Sequence, residues 1–256
     1  MPSSISAMST RPRVQNRPAA PEVWLCLGDS EMEGQGDPSP MPVGYPPQDG
    51  SLWMMRWPNI WQELKEPCAN GVIGRVGPAG MFGWYRQQQT GAHVAVVNCA
   101  VGGMISAQQD PTSPYTPTGF SQNVYHTALA RIVAAMSLPG AAFRGFVCYD
   151  GANDAIQFNT IGLQWRGRWN TIIAAFRSAL GTSAPVIYTQ LPPTAPAGAP
   201  GWNAVRNDQA AWQAADRIMV TAQDSGPWRD QSVHLSTEGN RLLAQSYAAA
   251  AASMVP

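Results

Sequence analysis

The sequence predicts an α/β fold, a three-layer α/β/α sandwich in which a five-stranded parallel sheet lies between two layers of helices. Short apolar segments alternate with helical segments along the chain, and this alternation is typical of a parallel sheet covered on both faces. Three of the apolar segments end in glycine turns, which would open at one edge of the sheet. Since no repeat and no linker follows residue 20, we predict an extended arm over 1–20 and a single domain over 21–256.

The predicted strands are runs of apolar residues bounded by turn residues, a pattern that indicates buried strands. They cover Val23–Leu27, Val94–Asn98, Phe143–Tyr149, Pro185–Leu191 and Ile218–Thr221. The predicted helices cover 81–87, 124–138, 163–180, 202–216 and 237–252. Pro139-Gly140 and Gly181 would end two of these helices, and Ser236 is placed to cap the last one.

Residues 1–20 have the composition of a flexible tail, rich in Ser, Arg and Pro. The tail lacks the apolar region of a signal peptide, so we expect a cytoplasmic protein or one assembled into a particle such as a virion. Contact with a neighbouring subunit is the simplest way to hold such an arm. We therefore expect a homo-oligomer or a larger assembly that forms through the arm.

The composition argues against several classes of partner. The chain has 256 residues, a formal net charge of zero and only 12% charged residues, so we expect no nucleic-acid and no membrane partner. No apolar stretch is long enough to span a bilayer. No pair of cysteines has metal-ligand spacing, so we expect no metal site and four buried free thiols, at Cys26, Cys68, Cys99 and Cys148.

Residues 31–61 are rich in Gly, Pro, Met and Trp, which predicts a long irregular loop because Pro interrupts helices. A loop of this length in a compact domain is usually functional. At its end, Trp53, Trp57 and Trp61 are spaced by four, which favours one face of a short helix. One alternative is that these residues make core or lid contacts. The other is that they form a wall on which a sugar stacks, with Trp53 and Trp57 binding the substrate.

The predicted site is organised around Gly28-Asp29-Ser30, directly after the first strand. Gly28 permits a sharp turn there. The turn would lift the Ser30 hydroxyl into the crevice where open α/β sheets bind ligands. The alternative is a purely structural turn in which Asp29 or Ser30 caps the next helix.

Residues with complementary chemistry follow other predicted elements. The turn at Gly103 follows the second strand, and Asn153 follows the third. His234 precedes the last helix, with Asp230 nearby. A hydroxyl, an imidazole with an orienting carboxylate, and two neutral N–H donors are the parts needed for acyl transfer, namely a nucleophile, a general base and an oxyanion hole.

Four blocks resemble, in order, those of the SGNH hydrolase (GDSL-type esterase) superfamily: Gly28-Asp29-Ser30, Gly103, Gly151-Ala152-Asn153-Asp154 and His234. Flanks such as Val76–Phe82 resemble its sialate O-acetylesterase and acetylxylan-esterase-like branch. The resemblance implies a flavodoxin-like three-layer fold and ester hydrolysis without a metal or cofactor. It implies Ser30 as nucleophile and His234 as general base. The oxyanion hole would consist of the Ser30 and Gly103 N–H groups and the Asn153 side chain.

The sequence departs from the family pattern near both ends of the site. The family carries a carboxylate three residues before the histidine, where this chain has Gln231; the nearest acid is Asp230, four residues before. Either a local bulge brings Asp230 to the His234 ring, or Gln231 holds the ring as a neutral acceptor. Glu31 stands where the family has Asn, and we expect it to contact the substrate and to repel anionic substrates. Asp150 would either hydrogen-bond inside the crevice or bind substrate.

Three functions are compatible with these residues. The first, which we predict, is a serine esterase that removes O-acetyl groups from a carbohydrate. The second is a weakly active or inactive SGNH module that serves as a structural or glycan-binding subunit of a larger assembly. The third is a lipase or thioesterase of the same superfamily, in which the loop over 31–61 covers an acyl pocket. Ester hydrolysis that depends on Ser30 separates the first function from the second.

Overall fold

The computed structural model describes residues 18–38, 41–56, 59–68, 75–117, 122–161, 163–222 and 233–255. These residues form a central, mostly parallel sheet flanked by helices, which confirms the predicted fold class. Most of the predicted arm, up to residue 17, lies outside the described residues. Directly after the arm, the Pro21 carbonyl accepts a hydrogen bond of 2.9 Å from the Ala142 N–H.

The sheet has seven strands in the part of the chain that is described, so the prediction of five was wrong in number. They are β1 (Glu22–Gly28), β2 (Leu52–Arg56), β3 (Ile60–Glu63), β4 (Val94–Asn98), β5 (Ala142–Tyr149), β6 (Val186–Gln190) and β7 (Arg217–Thr221). Their order is β3-β2-β4-β1-β5-β6-β7, and only β2 and β3 are antiparallel. β1 is the central strand, and all its residues are buried.

The two additional strands stand where an irregular loop and a tryptophan helix were predicted. Trp53 and Trp61 lie on the two strands of an antiparallel hairpin, so the prediction of a helix was wrong. Trp57 lies outside the described residues. β2 also pairs with β4 and buries its first four residues. This tertiary contact decides the conformation of the segment, because strand preference depends strongly on neighbours.

The helices form two layers over the sheet. They are α1 (Ser30–Glu33), α2 (Pro78–Thr90), α3 (Val124–Met136), α4 (Ala152–Ile156), α5 (Phe158–Ile161), α6 (Trp165–Leu180), α7 (Trp202–Ala210) and α8 (Thr237–Met254). α2 and α8 pack together on one face of the sheet, while α3, α6 and α7 pack on the other. As predicted, Ser236 caps α8, where its Oγ accepts the Gly239 N–H at 3.1 Å.

None of the helices in the described ranges combines the length and the apolar character that a bilayer crossing requires. The same residues contain no group of three or more His, Cys, Asp or Glu side chains that could hold a metal ion. All four cysteines are free and buried, which confirms the prediction of buried thiols.

A partly buried carboxyl group, that of Glu66, anchors the segment that leads toward α2. Glu66 accepts hydrogen bonds from the Tyr45 hydroxyl and, at 2.7 Å, from the Cys68 N–H. Gly80 leaves room for this group, because a Cβ at Gly80 would lie 2.5 Å from Oε1 of Glu66. Burial raises the pKa of Glu66 to about 7, although both hydrogen bonds act in the opposite direction.

We expect Glu66→Gln to be more stable than the wild type above the Glu66 pKa and about equally stable at acidic pH. The folded pKa of Glu66 is raised from 4.5 to about 7, so ionisation of this group removes stability as the pH rises through that interval. The full difference is about 3 kcal/mol at 1.36 kcal/mol per pKa unit. Urea unfolding between about pH 4 and pH 8 measures it. A variant that loses stability relative to the wild type as the pH rises would contradict the prediction.

Candidate active site

The end of β1 turns sharply and places Ser30 at the carboxyl edge of the sheet. Gly28 has a φ of +145°, and a Cβ on it would lie 1.9 Å from the Tyr149 carbonyl oxygen of β5. Only glycine allows the two backbones to approach this closely. Asp29 then caps α1, because its Oδ1 accepts the Glu31 N–H at 3.1 Å. One turn therefore both caps α1 through Asp29 and places Ser30 at the edge of the sheet.

His234 meets Ser30 from the other end of the chain. Its Nε2 lies 3.1 Å from the Ser30 Oγ, within the range expected for a nucleophile and its general base. The segment after α1 packs directly against the start of α8. Gly36 lies so close to Thr237 that a Cβ on Gly36 would be 2.8 Å from the Thr237 Oγ1. The Thr237 hydroxyl in turn donates to the Asp37 carbonyl. Ser30 is only 9% exposed, so the residue is almost buried at this edge of the sheet.

The Asn153 side chain is tied to the residue that precedes Ser30. Its Nδ2 donates to Oδ2 of Asp29 at 3.2 Å. An amide nitrogen carries two hydrogens, so one remains for a second acceptor. Asp29 is fully buried, and this burial raises its pKa to about 6 against the opposing effect of its hydrogen bonds to Glu31 and Asn153.

The predicted turn at Gly103 also lies beside Ser30. The Met104 N–H donates to the Val101 carbonyl at 3.4 Å, and Gly103 has a φ of +79°, as expected at the third position of a type II turn. A Cβ on Gly102 would lie 3.6 Å from the Ser30 Cβ. The structure therefore brings together four of the predicted site residues: Ser30, His234, Gly103 and Asn153.

Sequence analysis missed Glu33, which lies one turn after Ser30 on α1. Its side chain is buried, and a Cβ on Gly102 would lie only 2.5 Å from its Oε2. Burial raises the pKa of Glu33, while the Gly102 N–H that faces the carboxylate favours the charged form. The acid could have been noticed from its spacing, because residues three apart share one face of a helix.

The loop after β4 is held to α4 by Asp154. The Ser106 N–H donates to its Oδ2 at 2.8 Å and the Ser106 hydroxyl to its Oδ1 at 2.5 Å. Arg168 lies 3.6 Å from the same carboxylate. These contacts fix the far end of the loop whose first residues form the Gly103 turn.

Asp150 forms hydrogen bonds inside the fold, which is the first of the two alternatives that the sequence left open. It is 1% exposed, and its carboxylate accepts three side-chain N–H groups. The donors are Gln109 at 2.7 Å, Trp165 at 3.1 Å and Trp169 at 3.0 Å. Burial and then the nearby charges of Asp154 and Asp29 raise the pKa of Asp150.

The other predicted substrate-binding residues are also placed away from an open surface, or are not described. Glu31 is 3% exposed, which leaves little of its side chain to meet a substrate. Trp53 is 4% exposed and lies near the amino end of the sheet, about 15 Å along the strand direction from the edge that carries Ser30. The predictions for Trp57 and Asp230 fall outside the described residues.

Residues 20–253 match the family described as carbohydrate esterase, sialic acid-specific acetylesterase. This match confirms the resemblance that the four sequence blocks indicated. No protein among curated sequences is significantly similar to the chain.

Several solved structures share the fold. A protein from Arabidopsis thaliana aligns with a TM-score of 0.77 and 21% identity over 93% of this chain and 99% of its own. A carbohydrate acetylesterase from Xanthomonas citri aligns with a TM-score of 0.61 and 19% identity over 91% of this chain and 56% of its own. A carbohydrate esterase family 3 protein from Talaromyces cellulolyticus aligns with a TM-score of 0.52 and 13% identity over 91% and 97%. At these identities the likeness shows the fold alone.

We expect Gly28→Ala to destabilise the protein far more than Gly91→Ala, although both glycines have positive φ. At Gly91, with a φ of +66°, nothing lies within 4 Å of an added Cβ, so only backbone strain of about 1 kcal/mol is added. At Gly28 the clash with the Tyr149 carbonyl adds to that strain, for a loss of more than about 3 kcal/mol. Urea unfolding of the two variants measures both losses, and equal losses would contradict the prediction.

Proposed function

The chain belongs to the family of carbohydrate esterases described as sialic acid-specific acetylesterases, and on this basis we propose that it removes O-acetyl groups from a carbohydrate through an acyl-enzyme formed on Ser30. That the chain is a carboxylic ester hydrolase follows from the family itself. The observation that carries the proposal is the 3.1 Å distance between the Ser30 hydroxyl and the His234 imidazole. The carbohydrate acetylesterase from Xanthomonas citri shares the fold of this chain.

Acyl transfer to Ser30 requires a base that removes the hydroxyl proton as the oxygen attacks. In the proposed first step, the Ser30 Oγ attacks the acetyl carbonyl carbon while the His234 Nε2 takes its proton. The imidazolium then gives this proton to the sugar oxygen as the ester C–O bond breaks, which frees the sugar hydroxyl and leaves acetyl on Ser30. Water then attacks the acetyl carbonyl carbon while the same ring takes its proton. The ring gives this proton to the Ser30 Oγ as the bond between Oγ and the acetyl carbon breaks, which releases acetate and restores the hydroxyl.

The negative charge that develops on the carbonyl oxygen needs donors that are already in place. We assign this role to the N–H groups of Ser30 and Gly103 and to the Asn153 side-chain amide. Donors aimed at the developing oxyanion stabilise the transition state more than the bound ester, and therefore raise the rate. Glycine suits the Gly103 position because its backbone must approach the substrate closely.

The ring of His234 must also be held so that Nε2 faces the hydroxyl. We propose Asp230 for this role, as a carboxylate that accepts the Nδ1–H and stabilises the imidazolium. Gln231 is the alternative, as a neutral acceptor. Both residues lie outside the described part of the chain, so the choice between them is made by experiment.

We expect Ser30→Ala to abolish ester hydrolysis. Loss of the nucleophile removes the acyl-enzyme route, so kcat falls by at least about 10³-fold. The measurement is turnover of p-nitrophenyl acetate, together with release of acetate from acetylated xylan. Ser246→Ala is the matched control, because Ser246 lies on the exposed side of α8 and only donates to the Leu242 carbonyl, at 3.1 Å.

Hydrolysis that persists in Ser30→Ala would overturn the assignment of the nucleophile. If the wild type shows no Ser30-dependent release between about pH 6 and 9, where a histidine base is active, the esterase proposal fails. Retained binding of the glycan in that case would favour a glycan-binding role.

We expect Asp230→Asn to lower kcat by up to about 10⁴-fold, the loss seen when a triad carboxylate becomes neutral. Gln231→Ala should leave kcat within about tenfold of the wild type, because that side chain would not contact the ring. The same p-nitrophenyl acetate assay measures both variants. The reverse result, a large loss in Gln231→Ala alone, would assign the orienting role to Gln231.

A further inference from the structure

The short segment that carries Ser30 also carries two buried carboxylates that the chemistry proposed above does not use. Asp29 precedes the nucleophile, and Glu33 follows it by three residues. Asp29 is 0% exposed and Glu33 is 6% exposed. Burying a charged group is unfavourable unless the group is well satisfied, so contacts that compensate for this burial are expected.

Two of the three donors assigned to the oxyanion hole lie next to these carboxylates: Asp29 contacts Asn153 itself, whereas Glu33 contacts Gly102, the residue before Gly103. Oδ2 of Asp29 accepts one hydrogen of the Asn153 amide at 3.2 Å. The carboxylate of Glu33 fills the space beside Gly102, where a Cβ would lie 2.5 Å from its Oε2 and 3.7 Å from its Cδ. Gly102 is the residue before Gly103, and its N–H faces the same carboxylate.

Both donors need such support, because neither is fixed by its own backbone. The amide of Asn153 can rotate about its side-chain bonds. A turn with glycine at both central positions can adopt type I or type II geometry, and these differ in the direction of the central peptide. In that peptide the N–H belongs to Gly103, so a contact that holds Gly102 also aims this donor.

We propose that Asp29 and Glu33 are positioning residues, Asp29 for the Asn153 amide and Glu33 for the Gly103 N–H, so that the segment Asp29–Glu33 sets these two donors relative to the nucleophile that it carries. This inference rests on the proposed function. Donors displaced by about 1 Å lose much of their effect on the transition state, at a cost of about 10²-fold in rate. Since the oxyanion forms only during the reaction, the loss falls on kcat and leaves KM unchanged.

For Asp29 the informative variant is Asp29→Asn. Asparagine keeps the cap of α1, because it caps as well as aspartate does. With its oxygen on the Glu31 N–H, its amide nitrogen faces the Asn153 nitrogen, and the donor of Asn153 is turned away. We expect kcat to fall about 10- to 100-fold with KM unchanged. In an Asn153→Ala background, Asp29→Asn should have no further effect, because the group that it positions is already gone.

For Glu33 the variants are Glu33→Ala and Glu33→Gln. The alanine variant leaves Gly102 without its contact, and we expect kcat to fall about 10- to 100-fold, in the Asn153→Ala background as well. The glutamine variant keeps the shape and an acceptor oxygen, so it should retain most of the activity. Glu66→Ala and Glu66→Gln are the matched controls, since Glu66 is a partly buried glutamate that also faces a backbone N–H, that of Cys68 at 2.7 Å.

A second measurement separates this inference from the proposed function. Amide hydrogen exchange over residues 101–104 reports the order of the turn without any turnover. We expect faster exchange there in Glu33→Ala and not in Glu66→Ala. If the wild type lacks Ser30-dependent hydrolysis, the proposed function is what fails, and faster exchange still supports the contact of Glu33 with the turn.

Three results would overturn the inference. The first is a full additional loss from Asp29→Asn in the Asn153→Ala background, which would show that Asp29 acts independently of the donor. The second is a kcat of Glu33→Ala within about twofold of the wild type, a difference too small for a displaced donor. The third is unchanged exchange at 101–104 in Glu33→Ala.

Discussion

The site depends on the close approach of two backbones, where the end of β1 meets the end of β5. Because Gly28 has no side chain, the Tyr149 carbonyl can accept the Asp29 N–H at 3.2 Å. This contact turns the chain out of the central strand and directs Ser30 toward the carboxyl edge of the sheet. It also brings Asp29 to Asn153, which follows β5. A wider separation of the two strand ends would move the Ser30 hydroxyl away from the Asn153 amide.

Three buried aspartates, Asp29, Asp150 and Asp154, lie near the candidate site, and most of the donors that hydrogen-bond to them are neutral. Asp150 accepts hydrogen bonds from two tryptophan N–H groups and one glutamine amide, and among the described residues only Arg168 pairs with Asp154. Full ionisation of Asp29, Asp150 and Asp154 would place three negative charges close together. The pKa of each is raised, chiefly by burial, so the cluster resists carrying its full charge. These three aspartates therefore lie together although only 12% of the residues in the chain are charged.

Local patterns were sufficient to predict the features that depend on short stretches of sequence. The apolar runs of β1 and β4–β7, the cap at Ser236 and the blocks around Ser30 and His234 all carry their signal within a few residues. The β2–β3 hairpin carries no such signal, because its Trp and Met residues become strand only beside β4. The role of Asp150 stayed open in the sequence analysis for a similar reason. Its partners Trp165 and Trp169 come from a helix, and only the packed fold shows that they donate hydrogen bonds to its carboxylate.

The pairing of Ser30 with His234 joins two positions that are 204 residues apart. Strands β1 to β7 all precede His234, and α8, which follows it, packs on α2 from the first half of the chain. A chain truncated after β7 would therefore keep all seven described strands and Ser30, but it would lack both the imidazole that lies beside Ser30 and the helix that packs on α2.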